Sequence, residues 1–269
     1  MRKPVDLYDS HYSKSSARVY GAVRVDTFGE DLGQTSWITA AECDDTSRWL
    51  GLGAGKRLLE IGCGTGGVSI RIAERTGASV VGMDINDAAV AAALERASAA
   101  GLRHRAEFRA GDADDTLPFP GDSFDALFCN DAINHFRDRQ RLLADWYRVL
   151  RPGGRCLYTD PVVVTGCLSN AEIAARSSIG FFLFTPPGVN EALLRAVGFR
   201  VVDTVDVTQS VATISSRWHD ARLKHEAALL EIEGETRFTE FQDFLAAVHT
   251  LASEHRLSRY CYLGEKESR

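Results

Sequence analysis

The residues 57–74, RLLEIGCGTGGVSIRIAE, hold the densest set of groups able to do chemistry. Within them Gly62-Cys63-Gly64-Thr65-Gly66-Gly67 satisfies G-x-G-x-x-G, between an apolar run and a helix-period stretch. Glycines let a backbone approach a ligand closely, and the following helix presents its amide-rich N-terminus. Asp84 ends the next apolar run about 20 residues further on, where a carboxylate can accept from both hydroxyls of a ribose. Glu60, just ahead of Gly62, puts a second acid at the mouth of the loop.

Glycine loop and Asp84 suit a nicotinamide dinucleotide and S-adenosylmethionine equally, because both carry an adenosine. Glu60 separates them. A dinucleotide sets a pyrophosphate beside the loop, which a carboxylate opposes. S-adenosylmethionine brings an ammonium and a sulfonium, which a carboxylate favours. The bland role for Glu60 is a surface acid capping the loop.

These groups need a scaffold, and the sequence supplies one. KRLLEIG, SVVGMD, AEFRAGD, FDALFCND, RCLYTDPVVV and FRVVDTVDVT read as strands. Helical stretches alternate with them: GGVSIRIAERTG closed by Gly77, NDAAVAAALERASAAG capped by Asn86 or Asp87, DRQRLLADWYRVLRPGG and VNEALLRAVG. A further helix is expected at about 38–51. Such alternation predicts an α/β fold: a Rossmann-like, doubly wound, mostly parallel sheet of seven strands with helical cap insertions. SRYCYLGEK supplies the seventh strand.

The expected division is an N-terminal lid segment (1–40, polar, aromatic and irregular), a core (41–165), a lid insertion (166–187), core again (188–208), a helical cap (209–257) and the last strand and tail (258–269). In the cap, two amphipathic helices, SSRWHDARLKHEAALLEIEG and TEFQDFLAAVHTLASEH, are expected to pack together. The insertions follow strands five and six at the carboxyl edge of the sheet, where ligands bind. Three segments folding over one site suit an enclosed small molecule.

In order and spacing, the chain resembles the class I S-adenosylmethionine-dependent methyltransferases over about residues 40–165. LLEIGCGTGG is similar to their first motif, VVGMDIND to the second-strand motif, AGDADDTLPFPGDSFDALFCNDAINHF to the run through strands three and four, and RVLRPGGRCLYTD to the strand-five motif. Each motif alone is weak; jointly they are specific. The resemblance implies S-adenosyl-L-methionine as cofactor and S-adenosyl-L-homocysteine as product. It implies that Gly62, Cys63 and Gly64 line the cofactor, with Glu60 beneath it. Asp84 would bind the ribose, Ile85 would pack on the adenine, and Asp112 would accept from the adenine amine with Ala113 beside it. Asn130 would meet the methionine end through its backbone. GEDLGQTSW resembles a segment that brings a Trp over the methionine moiety, which puts Trp37 there with Thr35 near it; the His-x-Gly-Tyr-Trp form of the glycine and sarcosine enzymes is missing. Trp37 could instead be a core aromatic.

For the acceptor side, His135 follows strand four and should face the pocket. An ordinary imidazole pKa of about 6.5 suits a general base; the alternative is a packing histidine. Asp131 reads as structural. Arg176, Arg217 and Arg222 could clamp a carboxylate, or could be solvated helix charges. Trp218 and His219 could reach the substrate, or serve the core and the solvent. FFLFTPPG, residues 181–188, reads as a Pro-stiffened lid lining the acceptor pocket. His11 and His104 read as loop residues, and His225, His249 and His255 as packing edges.

Composition narrows the partners. The chain has 269 residues and a net charge of -6, which repels phosphate backbones, and no Asn/Asp-Pro-Pro-Tyr-like motif follows strand four. Nucleic acid is not expected. The six cysteines are scattered, without metal-ligand spacing, so no metal is expected and reduced cytoplasmic thiols are. No signal peptide or membrane-length apolar run is seen. The expected partner is a small-molecule acceptor, a metabolite or natural-product intermediate, methylated on N, O or C. A homodimer through the cap helices is also open. The competing readings are an NAD-dependent oxidoreductase and a catalytically silent cofactor-binding partner protein.

Overall fold

The strand and helix alternation becomes a sheet in the computed structural model, which describes residues 18–268. The start of the N-terminal lid segment, with Tyr8, His11 and Tyr12, lies outside the described residues, as does Arg269. In chain order come α1 (Arg18–Phe28), α2 (Ala40–Trp49), β1 (Arg57–Ile61), α3 (Gly67–Thr76), β2 (Ser79–Asp84), α4 (Asp87–Ala99), β3 (Ala106–Ala110) and β4 (Phe124–Cys129). After a 3₁₀ turn at Ile133–His135 follow α5 (Arg139–Val149), β5 (Leu150–Val164), α6 (Asn170–Arg176), α7 (Val189–Ala196) and β6 (Arg200–Asp206). Then come α8 (Thr208–Lys224), α9 (Glu226–Glu233), α10 (Glu235–Ser253) and β7 (Leu257–Glu265).

The seven strands lie in the order β3-β2-β1-β4-β5-β7-β6. Only β7 runs antiparallel, between β5 and β6. The order reverses between β1 and β4, and a crevice opens there at the carboxyl ends of the strands. β1 is buried on both faces, as its unbroken Leu-Leu-Glu-Ile run requires, so Glu60 is carried into the interior.

Helix ends follow local chemistry. Thr39 and Glu42 form a reciprocal capping box at the start of α2. Asn86, rather than Asp87, caps α4 by accepting from the Ala89 amide at 2.9 Å. Gly77 closes α3 in the left-handed conformation.

Apolar side chains form cores on both sides of the sheet. A separate aromatic core joins Tyr20, Phe28, Trp37, Trp218, Phe241 and Phe244 in the cap. The apolar faces of α8 and α10 therefore meet each other and α1, which removes the reason for expecting a second copy to cover them. No described helix is long and apolar enough to cross a membrane.

Three expectations need correction. Residues 18–28 are helical, not irregular. Their periodicity is masked because the buried face includes Arg24, whose Nε donates to Asp31 at 2.6 Å. The cap has three helices, not two, because the first expected helix breaks at His225. The buried Arg222 pairs with Glu233 at 2.7 Å and lies over the rings of Phe238 and Phe241. An unbroken helix would separate residues 222 and 233 by about 16 Å, so the chain must fold back. Finally, β5 begins at Leu150, before the Pro-Gly-Gly stop assigned to the preceding helix.

Candidate active site

A cleft of about 700 Å³ occupies the β1–β4 switch point, within the range of small-molecule sites. It is lined by the glycine loop, by carboxylates and by aromatic rings of the lid and cap. Every residue expected to hold the cofactor lines this cleft: Thr35, Trp37, Glu60, Gly62, Cys63, Gly64, Asp84, Ile85, Asp112, Ala113 and Asn130. His135 lines it too.

The loop is shaped by close approach. The amides of Gly62 and Cys63 both donate to the Met83 carbonyl, at 2.8 and 3.2 Å. Gly62 has φ +73°, and a Cβ there would lie 2.7 Å from Cβ of Ala132. A Cβ on Gly67 would fall onto the Leu32 carbonyl. We expect Gly67→Ala to cost about 3 kcal/mol or more through this backbone clash, read as a lowered Tm. Cys63 offers the cleft only its backbone, because its side chain packs with Ile70, Val90, Ala93 and Phe108.

Asp84 accepts from the Gly64 amide at 2.8 Å and the Asn86 amide at 3.0 Å. Burial pushes its pKa up, and these amides pull it back. Glu60 is only 2 % exposed and accepts from the Ser69 hydroxyl, so it is no surface acid. Burial pushes its carboxyl up to about 8, against the Ser69 bond and with help from Asp84. A folded-state pKa above the unfolded value contributes stability at low pH that is lost as pH rises toward 8. Glu60→Gln should therefore gain stability over the parent between about pH 5 and 8, on the order of a few kcal/mol. Thermal melts across that range check it; parallel curves would contradict it.

Glu60, Asp84, Asp87, Asp112 and Asp131 are lining acids, and the lining arginines lie over aromatic rings, Arg137 over Phe181 and Arg176 over Phe182 and Phe244. Acceptors at the strand ends suit the hydroxyls and amine of an adenosine-bearing ligand. Ile85, 56 % exposed, offers an apolar face to a planar base. Asp112 turns the chain by accepting from the Asp114 amide at 2.9 Å.

Asn130 spends its side chain inward: Nδ2 donates to Ser36 at 2.6 Å, and Oδ1 accepts from Thr159 at 3.2 Å and Arg259 at 3.0 Å. Its backbone is what remains for a ligand. Trp37 is both a lining residue and a core aromatic, stacked with Phe244 at 6.4 Å and edge-on to Trp218 at 6.0 Å. Asp131 is structural: it accepts from the Trp37 amide at 3.0 Å and pairs with Arg259 at 2.7 Å.

His135 closes the 3₁₀ turn after β4 and lines the cleft. Its Nδ1 lies 2.7 Å from the Phe181 carbonyl, an acceptor only, so Nδ1 carries a proton. Nε2 lies 3.3 Å from Asn134 Nδ2, and the ring packs on Phe182 at 4.9 Å. The lid that supplies Phe181 is anchored by the buried Arg139, which donates to Asp160 at 2.5 Å and to the Leu183 carbonyl at 2.7 Å.

Of the three arginines considered as a clamp, Arg176 alone lines the cleft, with its guanidinium over Phe182 and Phe244. Arg217 is exposed, and Arg222 is consumed inside the cap. Trp218 reaches the cleft; His219 lies beside Asp220. His225 pairs with Asp26 at 2.8 Å, and His249 bonds the Ala212 carbonyl. Sequence reasoning missed Phe241 and Phe244 as lining residues, because nothing in a cap helix marks which turn faces a cleft, and missed Ser36 and Ile179, which lie in turns outside any periodic pattern.

Comparison with known proteins agrees with this geometry. Residues 59–158 match the family model described as a methyltransferase domain. The chain is 32% identical to 27-O-demethylrifamycin SV methyltransferase of Amycolatopsis mediterranei, over 68% of this chain and 71% of that protein. It is 27% identical to the O-methyltransferase resE of Aspergillus sclerotiorum, over 77% and 80%. The fold superposes on the cyclopropane synthase MmaA2 of Mycobacterium tuberculosis with a TM-score of 0.83, 17% identity and 99% of both chains covered. The chain belongs to the class I S-adenosylmethionine-dependent methyltransferases. It is an enzyme whose cofactor is S-adenosyl-L-methionine and whose product is S-adenosyl-L-homocysteine. The nicotinamide reading falls with this assignment.

Proposed function

We propose that this methyltransferase alkylates a hydroxyl oxygen of a largely apolar small molecule, with His135 as general base. The carrying observation is the His135 ring in the wall of the cleft, with Nδ1 2.7 Å from the Phe181 carbonyl and with both carboxylates and aromatic rings lining the same space. The relatives named as O-methyltransferases support an oxygen acceptor. In this reading Glu60, Asp84, Ile85, Asp112 and the backbone of Gly62 to Gly64 and Asn130 hold the cofactor. When bound, S-adenosylmethionine supplies an electrophilic methyl group on a sulfonium.

The chain's own contribution is alignment, water exclusion and one proton transfer. Phe181, Phe182 and Phe244 hold the apolar body of the acceptor. Nε2 of His135 would take the proton of the acceptor hydroxyl as its oxygen is methylated, and the bound cofactor would supply the methyl group and leave as S-adenosylhomocysteine. An amine acceptor bound unprotonated would need no such base. The free cysteines, five of them buried, fit a reducing cytoplasm. The net charge of -6 disfavours nucleic acid as acceptor.

Matched acceptors test this reading. A panel of apolar scaffolds, each as the alcohol or phenol and as the corresponding amine, is incubated with the enzyme and cofactor, and S-adenosylhomocysteine release is measured. Turnover confined to hydroxylated scaffolds is the expected result. Preference for the amines would overturn it.

A further inference from the structure

The last strand, LSRYCYLGE, places an arginine among apolar and tyrosine residues. Arg259 is 2 % exposed, yet it does not line the cleft. Its fork reaches three elements. Nε donates to Asp131 at 2.7 Å and Nη2 to Asn130 at 3.0 Å, both in the turn after β4. Nη1 donates to Glu42 of α2 at 3.0 Å and to Ser210 of α8 at 3.2 Å. The chain of bonds then continues to the cleft wall. Asn130 donates to Ser36, and Asp131 accepts from the Trp37 amide. Asp131 has φ +51°, a left-handed conformation uncommon outside glycine and better tolerated by Asp than by most residues, which bonds from neighbours can hold in place. Arg259 and Thr159 supply such bonds from the far side of the turn.

We propose that Arg259 is a positioning residue for methyl transfer. It sets the Asn130–Asp131 turn and, through Asp131, the backbone of Trp37. It thereby fixes the part of the cleft wall that Asn130, Asp131 and Trp37 form. The inference rests on the methyltransferase assignment, which the parent's own binding of S-adenosylhomocysteine checks separately. Lysine cannot replace the arginine here, because a single ammonium cannot serve Asp131, Asn130 and Glu42 from one fork-shaped site.

The test compares Arg259→Lys with Glu42→Gln in the full chain, using titration with S-adenosylhomocysteine and hydrogen exchange of the Trp37 amide. Arg259→Lys is expected to bind about tenfold more weakly, since small misplacements of a site wall are costly. It is also expected to lose Trp37 amide protection while β1 and β4 amides keep theirs. Glu42→Gln loosens the same guanidinium from its outer side. It should lower Tm yet keep affinity within about twofold and keep Trp37 protected, because the Asp131 contact survives. Should Arg259→Lys fail to fold, the charge-matched double variant Arg259→Met, Asp131→Asn is read by the same two criteria. Parental affinity and Trp37 protection without the arginine fork overturn the proposal. So does an equal affinity loss in Glu42→Gln, which would make Arg259 a stabilising residue only.

Discussion

Asp84→Ala should bind S-adenosylhomocysteine at least about 100-fold more weakly than the parent. The carboxylate stands at the end of β2 beside the glycine loop, where its amide bonds from Gly64 and Asn86 fix its direction. Two ribose hydroxyls donating to one ionised carboxylate contribute about 3 kcal/mol or more, because charge-assisted bonds are worth roughly twice neutral ones. The same change removes a buried acid that raises the pKa of Glu60. The unliganded variant should therefore melt no lower than the parent by more than the lost Gly64 and Asn86 bonds cost, about 2 kcal/mol. Asp84→Asn keeps an acceptor for those amides and should fall between the two in affinity. Isothermal titration of the three proteins decides this; equal affinities would remove Asp84 from the cofactor site.

The second large effect concerns the chemical step. His135→Ala should lower kcat by about 10²–10⁴-fold, the usual worth of a positioned general base. The dissociation constant for S-adenosylhomocysteine should hardly change, because the proposed role of His135 is toward the acceptor and not the cofactor. The pH dependence carries the sign. A base must be unprotonated to act, so the parent's rate falls toward acid pH as the imidazole gains a proton. The variant should lack that limb. His135→Gln is the sharper control: it can keep a bond to the Phe181 carbonyl and so hold the lid, but it has no basic nitrogen. If His135→Gln retains kcat, the imidazole is a packing group. If only His135→Ala loses activity, holding the lid is its role.

The sheet and the glycine loop were legible because both obey local rules. Strand–helix alternation, Gly77 past the end of α3 and the glycine loop ahead of it are written in adjacent residues. Glu60 was singled out by its position just ahead of the glycine loop and by the charge of the ligand it would meet; its burial and its bond from Ser69 are products of the fold. The cap was harder. Arg24 and Arg222 sit on buried faces and look solvated in a sequence, since their partners, Asp31 and Glu233, are identified only by the fold. That hid α1 and the break at His225. Arg259 is the strongest case. Its partners lie 128 and 217 residues away, at Asp131 and Glu42, and no periodicity links them. An arginine among the apolar and tyrosine residues of the last strand was the available signal.

The most direct measurement is a crystal structure of the protein with S-adenosylhomocysteine bound. The ribose hydroxyls should lie on Asp84, the adenine against Ile85 and the amino-acid end toward Glu60. The sulfur should open onto the chamber walled by His135, Phe182 and Phe244. A ligand whose sulfur faces away from His135, or whose ribose contacts a group other than Asp84, would contradict the account.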